Sequence, residues 1–211
     1  MPGKLLAVCV VAEIHPLSRK SVVDSAIDKR AVNGSVQIGA DALAGDYSCD
    51  TKFHGGGDQA VYAYSLAEQA RWADELGREI PPGWFGENLL VDGLDVTDAV
   101  IGSRWEVGTA VLEVTMHREP CATFAKWVGE PRWVKRFTER ADVGAYLRVV
   151  VAGAVEAGDA ITVTHVPEHG VTVRDLFRGN DIDALRRLVA QPGLAAKVYS
   201  HAGAKSERAE R

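Results

Sequence analysis

The residues best suited to chemistry lie together in the segment Arg118-Glu119-Pro120-Cys121. Residues 110–117 before it alternate apolar side chains and are rich in β-branched ones, which predicts a strand. Residues 122–128 after it have the pattern of the first turns of a helix. A thiol at a helix start lies near unpaired backbone N–H groups, and the nearby guanidinium adds positive potential. We therefore expect the pKa of Cys121 to be lowered and its thiolate to be available.

A thiolate of this kind supports several chemistries, namely nucleophilic catalysis, redox sensing and metal ligation. A papain-like arrangement needs a histidine and an orienting amide, and His54 and Asn88 supply those residue types. A zinc site needs three or four ligands, usually in closely spaced pairs, whereas the six histidines are scattered along the chain. One soft ligand combined with arginines and an anion-binding loop suits a phosphorylated cofactor that carries a metal. From the residues alone, these alternatives stay open.

The second candidate site is the glycine run after His54, formed by Gly55, Gly56 and Gly57. Consecutive glycines suit a backbone that takes positive φ or approaches a ligand closely. Successive N–H groups in such a turn form a nest that binds anions. A plain tight turn is the alternative, although polar residues on both sides of the run favour the nest.

Length and composition indicate a globular chain with one substantial core. It has 211 residues, 46% of them hydrophobic and 25% charged, which is ordinary for a globular protein. The net charge of −5 argues against broad binding to nucleic acid or to an anionic membrane, since both need a basic face. No signal peptide, transmembrane run or disulfide framework is recognised, and a cytoplasmic location is the default expectation.

Hydrophobic patterning predicts a mostly β fold with inserted helices. The predicted strands are residues 4–12, 35–38, 60–64, 88–91, 104–107, 110–117, 144–151 and 160–166. The predicted helices are residues 65–76, 122–128 and 132–140, the first with Ser65 and Glu68 as a capping box. Residues 15–34 lack a clear pattern and are interpreted as a loop with weak strands. Short strands at regular spacing with glycine turns predict a β-barrel.

The character of the chain changes after Pro167, which predicts a division into parts. We expect a barrel domain at residues 1–168, a small helical extension at 169–204 and a disordered tail at 205–211. Of the other cysteines, Cys9 is expected to be a buried hydrophobic residue, and Cys49 is an incidental or second exposed thiol.

Several motifs together resemble one known family. They are Gly45-Asp46, His54-Gly55-Gly56, Ala60 to Tyr64, Phe85-Gly86-Glu87-Asn88-Leu89, Gly102, Arg118 to Cys121, Tyr146 to Val149 and Gly158-Asp159. Their order resembles that of MOSC-domain proteins, named after the C-terminal domain of molybdenum cofactor sulfurase. The match covers residues 30–165 and, with the helical extension, resembles the stand-alone bacterial YiiM-like branch. In that branch the residue two positions after the cysteine is often lysine, whereas this chain has Thr123.

The resemblance implies a MOSC-type β-barrel that binds the molybdenum cofactor, with Cys121 as the metal ligand. The cofactor contacts that it implies are His54, Gly55, Gly56, Gly57, Asn88, Arg118 and Arg148, with the glycine N–H groups and Arg118 holding the pterin phosphate. Related proteins reduce N-hydroxylated compounds such as hydroxylaminopurines and amidoximes, taking electrons from an external donor protein or reductase. The alternative implied function is a sulfur carrier, in which Cys121 holds a persulfide delivered by a pyridoxal-phosphate-dependent cysteine desulfurase.

Overall fold

The computed structural model of the protein describes residues 2–18, 21–47, 49 and 56–209. The strands are β1 (Gly3–Ser18), β2 (Ser21–Val32), β3 (Val36–Ile38), β4 (Val61–Ser65), β5 (Leu89–Asp92), β6 (Arg104–Val107), β7 (Ala110–Met116), β8 (Ala145–Val151), β9 (Gly153–Val155) and β10 (Ala160–His165). The helices are α1 (Leu66–Leu76), α2 (Ala122–Val128), α3 (Trp133–Arg140), α4 (Val173–Arg178), α5 (Ile182–Val189) and α6 (Ala196–Ala209), and a 3₁₀ turn covers Gly57–Gln59.

Seven strands close into a mixed barrel in the order β10, β6, β7, β8, β4, β5 and β1, and β10 pairs with β1 to complete the ring. The closing contact places Gly3 of β1 opposite Ile161 of β10. Strands β4 and β5 run parallel, with Ala63 opposite Leu89, and the other pairs in the ring are antiparallel. The predicted barrel with inserted helices is therefore confirmed, as is the helical extension after it.

An aromatic cluster under α1, α2 and α3 fixes the position of α2. Phe124 of α2 is fully buried, and its ring centroid lies 5.1 Å from that of Phe137 and 5.4 Å from that of Trp133. Trp72 of α1 completes the cluster at 4.6 Å from Trp133. Because aromatic contacts of this kind bury large areas and prefer set geometries, they hold the first turn of α2, and with it Cys121, in one place.

A buried ionic cluster ties α1 to the start of the helical extension. Arg174 of α4 lies 3.4 Å from Asp142, which Arg71 of α1 also binds at 2.9 Å. Glu68 of α1 lies 3.9 Å from Arg174. Burial, with a smaller contribution from Asp142, raises the pKa of Glu68 to about 7, although a hydrogen bond from Thr97 and the two arginines oppose the rise.

Residues 15–34 were predicted to be a loop with weak strands, whereas β1 continues to Ser18 and residues 21–32 form the continuous strand β2. This strand pairs with the outer part of β1 from Val8 to Ser18, outside the ring. Its apolar alternation is weak because Ser25, Ile27 and Lys29 line a partly polar cavity rather than a hydrophobic core.

Two details of the helices also differ from prediction. Ser65 makes no capping hydrogen bond, since it is the last residue of β4 and pairs with Val91 of β5. The tail predicted to be disordered from residue 205 is helical as far as Ala209. Lys205 Nζ donates to the carbonyl of Phe177 at 2.7 Å, which holds this end of α6 against α4. The division of the chain at residue 168 stays a prediction.

Candidate functional site

Cys121 lies at the N-cap of α2, between the end of β7 at Met116 and the first helical residue, Ala122. Its backbone is extended, with φ −129° and ψ 170°, and its Sγ accepts a hydrogen bond from the N–H of Phe124 at 3.5 Å. The strand-to-helix position expected from the sequence is therefore observed. A thiol that accepts a backbone N–H bond in this way is set up to hold negative charge.

A cavity of about 150 Å³ borders Cys121. Its wall is formed by residues of β2, β4 and β8, the loops before β4 and β5, and the segment from the end of β7 into α2. The wall residues used below are Lys29, Asp46, Cys49, Tyr62, Gly86, Asn88, Arg118, Thr123 and Tyr146. A space of this size accommodates one ring-sized group, so a larger ligand has to extend out of it. Thr123, two residues after Cys121, contributes to the same wall.

Arg118 places a guanidinium at this cavity. The guanidinium lies 4.4 Å from the ring centroid of Phe124 and 5.3 Å from that of Tyr62. Its Nε is buried and has no hydrogen-bond partner among the described residues. Burial disfavours the charge, but the neighbouring Tyr146, Tyr62, Cys121 and Glu87 together raise the pKa of Arg118, so it remains a cation. The charge thus has aromatic faces around it and an unused donor.

Gly86 keeps the wall open beside this guanidinium. Its φ is +76°, and a Cβ there would lie 3.2 Å from Cγ1 of Ile27 and 3.5 Å from Nη1 of Arg118. A larger residue here would therefore fill space next to the cation. It would also have to adopt a left-handed backbone conformation that only glycine adopts easily.

Lys29 supplies a second buried cation in the wall. Its Nζ lies 2.7 Å from Oδ2 of Asp46, and both side chains are nearly buried. Asp46 also accepts hydrogen bonds from Asn88 Nδ2 at 2.8 Å and from the N–H of Val11 at 3.1 Å. Burial lowers the pKa of Lys29, and the adjacent Asp46 counteracts that effect. The two residues thus form a buried ion pair without net charge, which the N–H of Val11 ties to strand β1.

Glu87 braces the loop from which this wall is built. It is fully buried, and its carboxyl oxygens accept hydrogen bonds from the N–H groups of Gly83 and Phe85 at 2.5 and 3.0 Å. Burial raises the pKa of Glu87 to about 7, while these backbone bonds and nearby Lys29 pull it down. Its role in the structure is to fix the turn that carries Gly86.

The predicted cofactor contacts fall in different places. Asn88 reaches the cavity, but its amide is engaged by the N–H of Tyr62, the carbonyl of Cys9 and Asp46. Gly56 and Gly57 form the start of the 3₁₀ turn and are exposed, outside the cavity wall. The remaining two residues of that loop, His54 and Gly55, lie outside the described residues. These three hydrogen bonds of Asn88 argue against the papain-like alternative, in which its amide would orient a histidine.

Arg148 is not part of the cavity wall, and its contact with a cofactor stays a prediction. It lies on β8 opposite Glu113 of β7, binds that carboxylate at 2.5 Å and donates to the carbonyl of Gly193 at 2.8 Å. Its charge is used to join the barrel to the helical extension.

Sequence reasoning missed Lys29, Tyr62 and Tyr146 as parts of the wall. The rings of Tyr62 and Tyr146 pack against each other, with centroids 5.0 Å apart. Burial raises the pKa of both, so each phenol keeps its proton. The apolar context of Tyr62 and the polar, unpatterned context of Lys29 gave no signal in the sequence.

Comparison with known proteins identifies the family. The family model of the MOSC domain matches residues 50–162, which is more than half of the chain and includes Arg118 and Cys121. The chain belongs to the MOSC domain family. Among curated relatives, YflK of Bacillus subtilis is 29% identical over 82% of this chain and 80% of its own length. A protein named reductase from Gibberella moniliformis is 30% identical over 79% of this chain, but the match spans only 30% of that longer protein.

A solved structure supports the same assignment of the fold. The crystal structure of YiiM from Geobacillus stearothermophilus superimposes with a TM-score of 0.78, covering 97% of this chain and all of that one at 22% identity. YiiM of Escherichia coli is also 35% identical over 46% of this chain, so the expected resemblance to YiiM-like MOSC proteins is confirmed. None of the helices in the described part of the chain combines the length and apolar character needed to cross a bilayer.

Proposed function

We propose that this MOSC protein is an oxidoreductase that binds the molybdenum cofactor and reduces N-hydroxylated compounds, with Cys121 as the metal ligand. The observation that carries the proposal is that the Cys121 thiol and the Arg118 guanidinium border one cavity. The reductase name of one relative supports the reaction class, and the family model supports the type of cofactor.

The residues around the cavity fit such a group. A thiolate is a soft ligand of the kind that binds heavier transition metals. A phosphorylated pterin is anionic and needs cations with unused donors, which Arg118 supplies through its unpartnered Nε. Gly86 leaves space beside that cation.

When bound, the molybdenum cofactor supplies two-electron oxygen-atom-transfer chemistry. The chain itself contributes binding, orientation and proton control. Cys121 holds its Sγ toward the cavity by the bond from the N–H of Phe124, and Arg118 keeps its charge at every physiological pH. Tyr146 lines the cavity and keeps its proton at Oη, because burial raises its pKa. We assign Tyr146 as the hydrogen-bond donor to the substrate oxygen.

The overall reaction requires an external supply of electrons. Converting an N–OH group to N–H consumes two electrons and two protons and releases one water molecule. In this proposal the electrons come from a separate electron-donor protein or reductase, and the protons come from solvent through groups at the cavity such as Tyr146.

The test is reduction of a hydroxylaminopurine by protein expressed in a host that makes the cofactor, with a chemical electron donor. Wild-type protein is expected to form the amine, and Cys121→Ala is expected to be inactive. Cys49→Ser is the matched control, since Cys49 borders the same cavity and is expected to keep activity when replaced. Full activity in Cys121→Ala would remove the ligand role. Intact mass that shows one labile extra sulfur at Cys121, without bound pterin, would favour the sulfur-carrier alternative and a desulfurase partner.

A further inference from the structure

A second group of metal-binding side chains lies beside the segment that carries Arg118. It consists of His117, directly after β7, Glu119 in the following loop and His201 on α6. One ligand atom from each lies within 4.8 Å of the others. Glu119 Oε1 is 3.0 Å from His201 Nε2 and 3.6 Å from His117 Nδ1. Two imidazoles and a carboxylate thus converge from two distant parts of the chain.

The state of His117 is the feature that points to a ligand. Its side chain is 0% exposed, and neither ring nitrogen has a hydrogen-bond partner among the described residues. Leaving a buried polar group unpaired costs about 1–3 kcal/mol, so such groups are rare in native structures. Phe177 covers the ring, with the two ring centroids 5.0 Å apart.

We propose that His117, Glu119 and His201 bind a divalent transition-metal ion of the Zn²⁺ type. Ligand bonds of about 2.0–2.2 Å in a tetrahedral site place neighbouring ligand atoms about 3.3 Å apart. That spacing lies between the 3.0 and 3.6 Å that separate Glu119 Oε1 from the nearest nitrogens of His201 and His117. The rings of His117 and His201 have centroids 5.0 Å apart and planes 78° apart. Imidazoles that share one tetrahedral ion have centroids at about that distance. Binding of the ion would replace the hydrogen bond between Glu119 Oε1 and His201 Nε2 by two ligand bonds.

The ligand set also indicates the class of ion and its surroundings. Two imidazole nitrogens and one carboxylate oxygen suit Zn²⁺ and its neighbours in the first transition row better than Mg²⁺ or Ca²⁺, which prefer oxygen. Glu119 and His201 are partly exposed, so water can complete the fourth position. A site with three protein ligands and one open position therefore fits these residues.

The other histidine–carboxylate group lacks these properties and provides a control. Glu13, His15 and Asp28 also lie close together. There Arg30 binds both carboxylates, at 2.9 Å from Asp28 and 3.4 Å from Glu13, and His15 binds Asp28 at 3.0 Å. A cation already occupies the acidic groups, so we expect no tight metal binding at this second place.

The proposed ion would link the helical extension to the candidate functional site. His117 and Glu119 are the two neighbours of Arg118 in the chain, and Cys121 follows two residues later. An ion held by both of them and by His201 of α6 fixes the backbone on either side of Arg118.

The experiment measures metal binding by untagged full-length protein after treatment with a chelator. Zn²⁺ titration against a chromophoric competitor is expected to give one tight site per chain in wild-type protein. His201→Ala and Glu119→Gln are each expected to weaken binding by more than about tenfold, and both change partly exposed residues, so the fold is preserved. His15→Ala and Cys121→Ser are expected to bind as wild type does. Co²⁺ in the same site is expected to give the visible absorption of four-coordinate cobalt.

Thermal unfolding provides a second readout that does not depend on activity. Added Zn²⁺ is expected to raise the midpoint of wild-type protein and of His15→Ala, because an ion that binds only the folded state stabilises it. It is expected to raise the midpoint of His201→Ala less than that of wild-type protein at the same Zn²⁺ concentration. Wild-type affinity in His201→Ala, or loss of binding in Cys121→Ser, would overturn the proposal. These outcomes do not bear on the proposed reductase function, which requires Cys121 rather than His201.

Discussion

Replacing Asp46 by asparagine tests how the cavity wall is held together. The substitution keeps the size of the side chain but removes the charge that lies 2.7 Å from Lys29 Nζ. It also replaces the carboxylate whose Oδ2 accepts hydrogen bonds from both Lys29 and Asn88 by an amide. We expect the free energy of unfolding at pH 7 to fall by about 3–5 kcal/mol, the range found when one partner of a buried ion pair is removed.

The magnitude follows from the burial of the pair. At an effective dielectric constant of about 20, two unit charges 2.7 Å apart attract by about 6 kcal/mol. Desolvation of the two charges offsets most of this gain in the intact pair. In Asp46→Asn the attraction is lost while the desolvation of Lys29 remains. The pKa of Lys29, already lowered by burial, must fall further.

Urea unfolding of Asp46→Asn, Lys29→Met and the double variant measures the effect. The double variant is expected to be more stable than the sum of the single changes implies, because it leaves no unpaired buried charge. The deficit of Asp46→Asn is expected to shrink as pH rises toward 10.5, the ordinary pKa of lysine, since the unfolded chain then binds more protons than the folded one.

Glu13→Gln is the control, because it removes a carboxylate from an ion pair that is largely exposed and is expected to leave the midpoint unchanged. A loss below about 1 kcal/mol in Asp46→Asn, or strict additivity in the double variant, would refute the reasoning.

Three further predictions concern stability and reactivity. Wild-type protein is expected to lose stability as pH rises from about 4.5 to about 7, because the pKa of Glu68 is raised in the folded state. Glu68→Gln lacks this loss and is therefore expected to gain up to about 3 kcal/mol relative to wild type across that window. Equal pH profiles of the two proteins in urea unfolding would contradict this. Alkylation followed by peptide mass analysis is expected to label Cys121 and leave Cys9 unmodified in native protein, since burial raises the pKa of Cys9 to about 12; early labelling of Cys9 would disagree. Gly83→Ala is expected to prevent folding or to lower the free energy of unfolding by more than about 3 kcal/mol, because its Cβ would lie 2.2 Å from a backbone carbonyl oxygen. The Cβ of Gly77→Ala meets no atom, so that variant is expected to lose only about 1–2 kcal/mol through its left-handed backbone. Similar unfolding midpoints for the two variants would count against the steric argument.

Strong local patterns were enough to predict most of the barrel. The alternation in residues 110–117 and the glycine stop after α1 both correspond to observed boundaries, with β7 at Ala110–Met116 and Gly77 in the left-handed conformation. Strand β2 escaped prediction because its inward residues face a cavity lined in part by polar groups, where a charged side chain such as Lys29 is tolerated. Periodicity reports burial in an apolar core and is silent where the buried surface is polar.

The candidate site was predictable only in the segment from Arg118 to Cys121. Contacts made within a few residues, such as the bond from the N–H of Phe124 to Cys121, follow from helix geometry. The partners of Asn88 and Arg148 lie across neighbouring strands or in distant loops, and no spacing in the sequence reveals them. Arg148 therefore had the residue type of a cofactor contact, but the strand register pairs it with Glu113.

The most direct test of the central claim is the molybdenum content of Cys121→Ser beside that of Cys49→Ser, both purified from a host that makes the cofactor. Both cysteines border the same cavity, so the comparison separates ligation from general damage to the site. Cys49→Ser is expected to retain molybdenum and pterin at the wild-type ratio to protein, and Cys121→Ser is expected to lose the metal. Equal molybdenum in the two variants would contradict the assignment of Cys121 as the metal ligand.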